Sequence, residues 1–365
     1  MGFRCGIVGL PNVGKSTIFN AMTAAEIESA NYPFCTIEPN VGMVPVPDPR
    51  LKKLGDLAQT KKLVHAQMEF VDIAGLVSGA SKGEGLGNQF LGHIRQVDAI
   101  AHVIRCFEDS NIVHVDGDID PLRDREVINM ELILADLDTV EKRLTKTRSQ
   151  AKSGDKTFKA QVVILEELYG LLDEGKAARQ LETDENGEKL LKELCLLTSK
   201  PILYVANVSE DDIATGNQWV DKLRETVEQE EGAPVVVISG AIEEELSGLD
   251  EEEQAEYLAD LGMEESGLGR LIHAGYRLLG LTNYFTVGEK ETRAWTIKNG
   301  ATAPEAAGVI HTDFQKGFIR AEVIAYDDFI ASGGEAGAKD KGLWRLEGKE
   351  YVVKDGDCVN FRFNV

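Results

Sequence analysis

Cysteine is scarce and scattered in this chain. Its five cysteines, at positions 5, 35, 106, 195 and 358, lie far apart, and no Cys-x-x-Cys pair occurs. That spacing argues against a disulfide framework or a zinc site and fits reduced thiols in a cytosol. Long apolar runs are missing too. None approaches the roughly 20 residues of a membrane span, so no membrane partner is expected. A strand expected to begin by residue 3 leaves no room for a signal peptide, and a cytoplasmic location is expected. Positive charge is in short supply: 39 Lys and Arg against 62 Asp and Glu give a formal net charge of −23. This balance argues against general nucleic-acid binding. The deficit is uneven. No Lys or Arg stands between Arg224 and Arg270, where Glu243–Glu245 and Asp250–Glu253 form acidic clusters that read as solvated helix faces. Between Lys142 and Lys159, by contrast, seven basic residues face one acid, Asp155.

What the chain does have begins near its start. At 365 residues it is too long for one typical domain, and two or three are expected. The stretch Gly9-Leu10-Pro11-Asn12-Val13-Gly14-Lys15-Ser16 is a complete phosphate-binding loop. The apolar run Cys5–Val8 before it reads as a strand, and Thr17–Met22 after it opens a helix, which is the context the motif requires. Glycines at 9 and 14 let backbone N–H groups of residues 12–17 crowd round a triphosphate, aided by the positive end of the helix. Lys15 can reach the β- and γ-phosphates, and the Ser16 hydroxyl can bind Mg²⁺.

Two further motifs favour a nucleotide-operated switch over a small-molecule kinase. Residues 31–50 read as a Pro-rich loop carrying Thr36, whose hydroxyl can meet Mg²⁺ and whose N–H can meet the γ-phosphate. Apolar residues then lead into Asp72-Ile73-Ala74-Gly75, the end of a buried strand. Asp72 would act on Mg²⁺, and the Gly75 N–H would sense the γ-phosphate. A Gly-rich stretch, Ser78–Asn88, follows. The fourth element departs from the guanine-reading pattern Asn-Lys-x-Asp. Pro201–Ala206 is a clean strand ending in Asn207-Val208-Ser209-Glu210, with Val208 where Lys is expected and Glu210 where Asp is expected. Adenine has no 2-amino group to satisfy such an Asp. The change tilts the reading toward ATP and leaves GTP open.

These stretches resemble the YchF family, the Obg-like ATPases, as do Asn31–Asn40, Gly83–Asn88, Ala294–Ile297, His311–Phe314 and Gly317–Ala321. The resemblance spans the chain. It implies an α/β fold: a P-loop NTPase domain over 1–121 and 201–281, an inserted α-helical hairpin over 122–200, and a TGS-like β-grasp domain over 282–365. It also implies ATP hydrolysis in preference to GTP and association with the ribosome, through large-subunit RNA or protein.

The remaining sequence fits independently. Leu132, Leu134, Leu137, Val140 and Leu144 recur at helical spacing over 129–152, Ser153-Gly154-Asp155 breaks the helix, and Val162, Val163, Leu165, Leu168 and Leu172 resume it over 159–173. An antiparallel helical hairpin with a basic tip results. A further amphipathic helix is expected near Leu268–Leu279. The Asp355-Gly356 pair, between Tyr351–Val353 and Cys358–Phe361, signals a β-hairpin in a β-rich C-terminal domain.

Many GTPases orient the attacking water with a Gln just after Asp-x-x-Gly, but that position here is Leu76, which cannot. The resemblance assigns the catalytic role to His114; the residues alone leave His93 and His102 equally eligible. Asn12 stands where some related switches hold K⁺ beside the phosphates. Three readings stand: an ATP-hydrolysing switch, a GTPase switch, and a nucleotide-gated ribosome-binding module with negligible turnover. A monomer is expected, contacting the ribosome through the basic tip or the TGS-like domain.

Overall fold

Six short strands, none longer than seven residues, build the sheet that positions the site. The computed structural model describes residues 3–29, 40–73, 86–109 and 118–364. The first stretch of chain forms β1 (Arg4–Val8), α1 (Lys15–Ser29), β2 (Val41–Pro45), α2 (Pro49–Leu57), β3 (Leu63–Val64) and β4 (Gln67–Asp72). Next come α3 (Leu86–Arg95), β5 (Ala99–Arg105), α4 (Pro121–Ala151), α5 (Lys156–Asp173) and α6 (Glu185–Leu194). After them run β6 (Ile202–Asn207), α7 (Gln218–Glu230), β7 (Val235–Ile238), α8 (Gly240–Leu246), α9 (Glu251–Asp260) and α10 (Gly267–Leu278). The last third holds β8 (Leu281–Thr286), β9 (Thr292–Lys298), α11 (Ala303–Ile310), α12 (Thr312–Lys316) and β10 (Phe318–Ile324). It closes with α13 (Tyr326–Ala331), α14 (Glu335–Asp340), β11 (Arg345–Glu347) and β12 (Cys358–Phe363).

The chain divides into two compact units, one of residues 1–43 with 69–275, the other of residues 44–68 with 276–365. In the first, the strand order is β2-β4-β1-β5-β6-β7. β1 pairs in parallel with β4 and β5, and β6 in parallel with β5 and β7. β5 and β6 are buried at every position, as central parallel strands covered on both faces must be. The order reverses at β1, so the turn leaving it opens at the crevice where such sheets bind ligands.

The helical hairpin is present and longer than its periodicity suggests. Asp120 starts α4 by accepting from the Arg123 N–H (3.2 Å), with Pro121 in the first turn, eight residues before the expected start. Asp155 starts α5 in the same way, accepting from the Thr157 N–H at 2.7 Å. Val140, Leu144, Leu165, Leu168 and Leu172 form the hairpin's buried core. Leu134 and Val163, expected among them, are instead 41% and 54% exposed. Buried Asp136 ties α4 to the stretch before β6, accepting from the Leu197 N–H, the Thr198 N–H and the Thr198 hydroxyl.

The second unit is a mixed sheet, β11-β10-β12-β8-β9-β3, with α11 packing Ala303, Ala306 and Ala307 into its core. This is the β-rich domain expected, with two corrections. Residues 41–45, expected in a Pro-rich loop, are strand β2. Residues 44–68, expected in the first domain, belong to this unit and supply β3 at its edge. The β-hairpin expected at Asp355-Gly356 does not form. β12 pairs with β10 and β8, while Val352 makes only an isolated bridge to Thr302. The turn itself is real, with Gly356 at φ +83°. The backbone on either side pairs elsewhere, Val353 N–H with the Ala301 carbonyl and Gly356 N–H with the Asn283 carbonyl, while the Asp355 carboxylate accepts from Arg50 (2.6 Å) and the Thr282 hydroxyl (2.7 Å). Cys5, Cys106 and Cys358 are buried and Cys195 exposed, all four as free thiols. Among the described residues no helix is long and apolar enough to cross a membrane.

Candidate functional site

Val8 ends β1, and the chain curls over the strand's carboxyl end before entering α1. Glycine is required twice in that curl. A Cβ on Gly9 would lie 2.6 Å from the Val103 carbonyl oxygen. Gly14 takes φ +92°, where a side chain is strained, and a Cβ there would collide with the Asn207 amide. Asn207, buried at the end of β6, explains that closeness. Its Nδ2 donates to the Val13 carbonyl at 2.9 Å, and its Oδ1 accepts from the Gly240 N–H at 2.9 Å. One side chain thus fastens the loop to β6 and to the turn after β7.

Lys15 is 9% exposed, and its Nζ lies 3.8 Å from Asp72 Oδ1 at the end of β4. That oxygen is buried and accepts no hydrogen bond among the described residues. Leaving a buried carboxylate oxygen without a donor is expensive, and a bound cation relieves it. The Ser16 hydroxyl is exposed on the first turn of α1. Hard oxygen ligands beside a lysine suit Mg²⁺ carried in with phosphate. Among the described residues no group of three or more His, Cys, Asp or Glu could hold a metal alone.

A cavity of about 690 Å³ opens over the carboxyl ends of the strands. Asn12, Gly14, Lys15, Ser16, Thr17, Asn207, Val208 and Glu210, all expected from sequence, line it together. Val13 is buried beneath, its carbonyl held by Asn207. Val208 is buried with its N–H donating to the Ile238 carbonyl (2.8 Å), and its side chain brings only carbon to the lining. Glu210 is exposed at the rim. Thr36, Gly75 and His114 lie outside the described residues. Of the two rival histidines, His93 is exposed on α3. His102 sits inside β5 with its ring centroid 5.5 Å from that of Tyr204, and it does not line the cavity. Burial, reinforced by the Arg125 guanidinium, pushes its pKa down to about 3. A neutral histidine buried away from the cavity is no partner for an attacking water, so His102 drops out.

The cavity also has walls that sequence reasoning missed: Phe107, Ser239, Gly240 and Ala241. The signal was available, since Val235–Ile238 is an apolar strand ending in Ser-Gly-Ala, and parallel strands present ligands at that end. Phe107 is held by Arg105, whose guanidinium lies 4.6 Å from the ring centroid and whose Nε–H donates to the Phe107 carbonyl at 3.1 Å.

Two family models match the chain. One, described as a 50S ribosome-binding GTPase, matches residues 4–164; the other, for the C-terminal region of YchF GTPases and described as a protein of unknown function, matches residues 281–364. The ribosome-binding ATPase YchF of Haemophilus ducreyi is 59% identical over 365 residues, covering 100% of both chains. The protein of that name from Escherichia coli O157:H7 is 55% identical, again over 100% of both. The structure of the Schizosaccharomyces pombe YchF GTPase matches with a TM-score of 0.90 at 39% identity, covering 99% of this chain and 98% of that one.

Proposed function

The chain belongs to the YchF family, and on that premise we propose that it is an ATP-hydrolysing, ribosome-associated molecular switch. The observation that carries the reading is the single cavity that joins the Lys15–Ser16 phosphate site to the apolar Val208 surface. Lys15 would neutralise β- and γ-phosphate oxygens. Ser16 and Asp72 would hold Mg²⁺, completed by Thr36; the ion supplies charge neutralisation on the transferring phosphoryl group. Asn207 fastens the loop to β6 and to the turn after β7, which would spare ordering cost on binding. Gly75 and Thr36 would report the γ-phosphate, and His114 would orient the water. Asn12, at φ +63° on the cavity wall, would sit beside a K⁺ ion, so exchanging K⁺ for Na⁺ should slow turnover. We place the nucleotide in the unit of residues 1–43 and 69–275, with its helical hairpin of α4 and α5 and the TGS-like unit of residues 44–68 and 276–365 as ribosome-facing parts, in a cytoplasmic monomer.

Adenine is favoured because Val208 and Glu210 replace the Lys and Asp that a guanine reader uses. The rival is GTP, since the S. pombe relative is named a GTPase. Calorimetric titration with MgATP and MgGTP decides between them: ATP should bind more tightly. Tenfold tighter GTP binding, about 1.4 kcal/mol, would replace this reading with a GTPase. Absence of turnover at saturating MgATP and MgGTP would leave a nucleotide-gated binding module.

A further inference from the structure

A second cavity, of about 820 Å³, opens at the root of the hairpin, where α4, the segment after α5 and the end of α7 meet. It shares none of its lining residues with the nucleotide cavity. Its cations are already paired. Arg125 meets Glu230 (2.6 Å) and Glu231 (3.0 Å), Arg179 meets Glu231, and Lys176 meets Glu174 (2.7 Å). Its acceptors are not all filled. Gln180 Oε1 is buried on the cavity wall and accepts no hydrogen bond among the described residues. Glu126 is exposed on α4 and makes no ion pair among them. Met130, one turn further along the same face, is 48% exposed, and Ile133 continues that apolar strip. Four carboxylates against three cations line the whole, so the excess charge is negative.

We propose that this cavity docks a basic peptide segment of a protein partner, bearing Lys or Arg among apolar residues; the proposal deepens the ribosome-associated reading above by naming the class of partner. A buried acceptor without a donor is costly, and buried polar groups are normally satisfied. Ammonium and guanidinium side chains bring donors only, on stems of methylenes that lie along apolar surface. Such a side chain fits an open carboxylate, an unfilled amide oxygen and an exposed methionine at once. RNA phosphate would meet the excess carboxylate instead. The volume is that of a site for several side chains rather than one. The hairpin thus carries opposite chemistries at its two ends, a basic tip and an acid-rimmed root about 30 Å apart along α4.

The test uses the full chain and a fluorescently labelled hexapeptide of alternating Arg and Leu, read by anisotropy, with an unlabelled Glu–Leu hexapeptide and spermidine as competitors. The labelled peptide should bind saturably, and neither competitor in molar excess should displace it. Glu126→Lys/Met130→Lys should weaken binding about tenfold, the size of one charged hydrogen bond. Both replaced side chains are exposed, so the melting temperature should hold. They barely alter a net charge of −23, so the loss reports the cavity and not general attraction. Glu126→Gln should weaken binding less, and Lys152→Glu/Lys156→Glu/Lys159→Glu at the tip should not weaken it. The cavity variant should also co-sediment less with ribosomes at unchanged ATPase activity. Equal peptide binding by the cavity variant, displacement by spermidine, or unchanged co-sedimentation of that variant would each overturn the proposal and leave the ribosome-associated reading standing. Failure of the unsubstituted chain to co-sediment would sink that reading and this inference together.

Discussion

Lys15 is buried against a carboxylate oxygen that has no hydrogen-bond donor among the described residues, and the adjacent Ser16 hydroxyl is open. Both groups would touch phosphate or metal already in the ground state. Lys15→Ala and Ser16→Ala should therefore weaken MgATP binding about 10- to 100-fold, the range for hydrogen bonds to charged groups. A water-orienting residue acts mainly in the transition state. His114→Ala should leave the affinity intact and lower kcat by about 100-fold; an unchanged single-turnover rate would remove His114 from the mechanism and return His93 to consideration. His102 has a different role. Its pKa is about 3 folded against an ordinary 6.5, so it is neutral in the native state. The unfolded chain binds its proton first as pH falls. The stability it contributes is full above about pH 6.5 and is lost as pH falls toward 3. His102→Leu should flatten the pH dependence of unfolding free energy across that window, measured by urea melts. An unchanged slope would mean that His102 is solvated.

The hairpin shows what sequence periodicity can and cannot reach. Leucines at helical spacing located both helices, and Ser153-Gly154-Asp155 located the turn, because a two-helix core has to repeat every three to four residues. The start of α4 was missed because an Asp cap with Pro in the first turn lies outside the apolar stripe. The exposure of Leu134 and Val163 depends on what packs nearby, which spacing does not encode. The Asp355-Gly356 turn fails as a hairpin because its flanking backbone pairs elsewhere: the Val353 N–H donates to the Ala301 carbonyl and the Gly356 N–H to the Asn283 carbonyl, partners some 50 to 70 residues earlier. The phosphate loop was legible in full because its chemistry is local; the Ser239 wall arrives from a distant strand. At the basic tip, Lys142 pairs with Asp138, Arg143 with Glu193 and Arg148 with Glu166. Among the described residues, Lys146, Lys152, Lys156 and Lys159 make no ion pair, which concentrates free charge at the turn. Lys152→Glu/Lys156→Glu/Lys159→Glu should reduce co-sedimentation with ribosomes while ATPase activity stays intact, and parental binding should fall with salt. Sedimentation unchanged across a salt series would move the contact to the TGS-like domain.

At the scale of the whole molecule, the second unit is discontinuous in sequence, and its stability should show it. Residues 44–68 are separated by some 200 residues from the rest of their unit, yet β3 extends its sheet by pairing in parallel with β9 through Leu63 and Val64. The Thr60 hydroxyl donates to the Gly288 carbonyl at 2.7 Å and meets the Thr292 hydroxyl at 2.6 Å, while the Lys61 N–H donates to the Glu289 carbonyl at 2.9 Å. Arg50 grips Asp355 with both terminal nitrogens, at 2.6 and 3.2 Å, and its own charge is held by Asp48. A fragment of residues 276–365 loses all of these at once and leaves Thr292, fully buried in the intact unit, without its cover. Each net hydrogen bond is worth about 1 kcal/mol and a charged one more, so the loss is a large share of the 5–15 kcal/mol typical of a domain. The 276–365 fragment should therefore melt well below the same fragment joined to residues 44–68 by a flexible linker, followed by circular dichroism. The bridging residues have a specific share in that gap: Arg50→Ala in the joined fragment should recover part of the instability by freeing Asp355. Equal, cooperative melting of the two fragments would show that the C-terminal residues fold without the early segment, and that 44–68 merely rests on a finished domain.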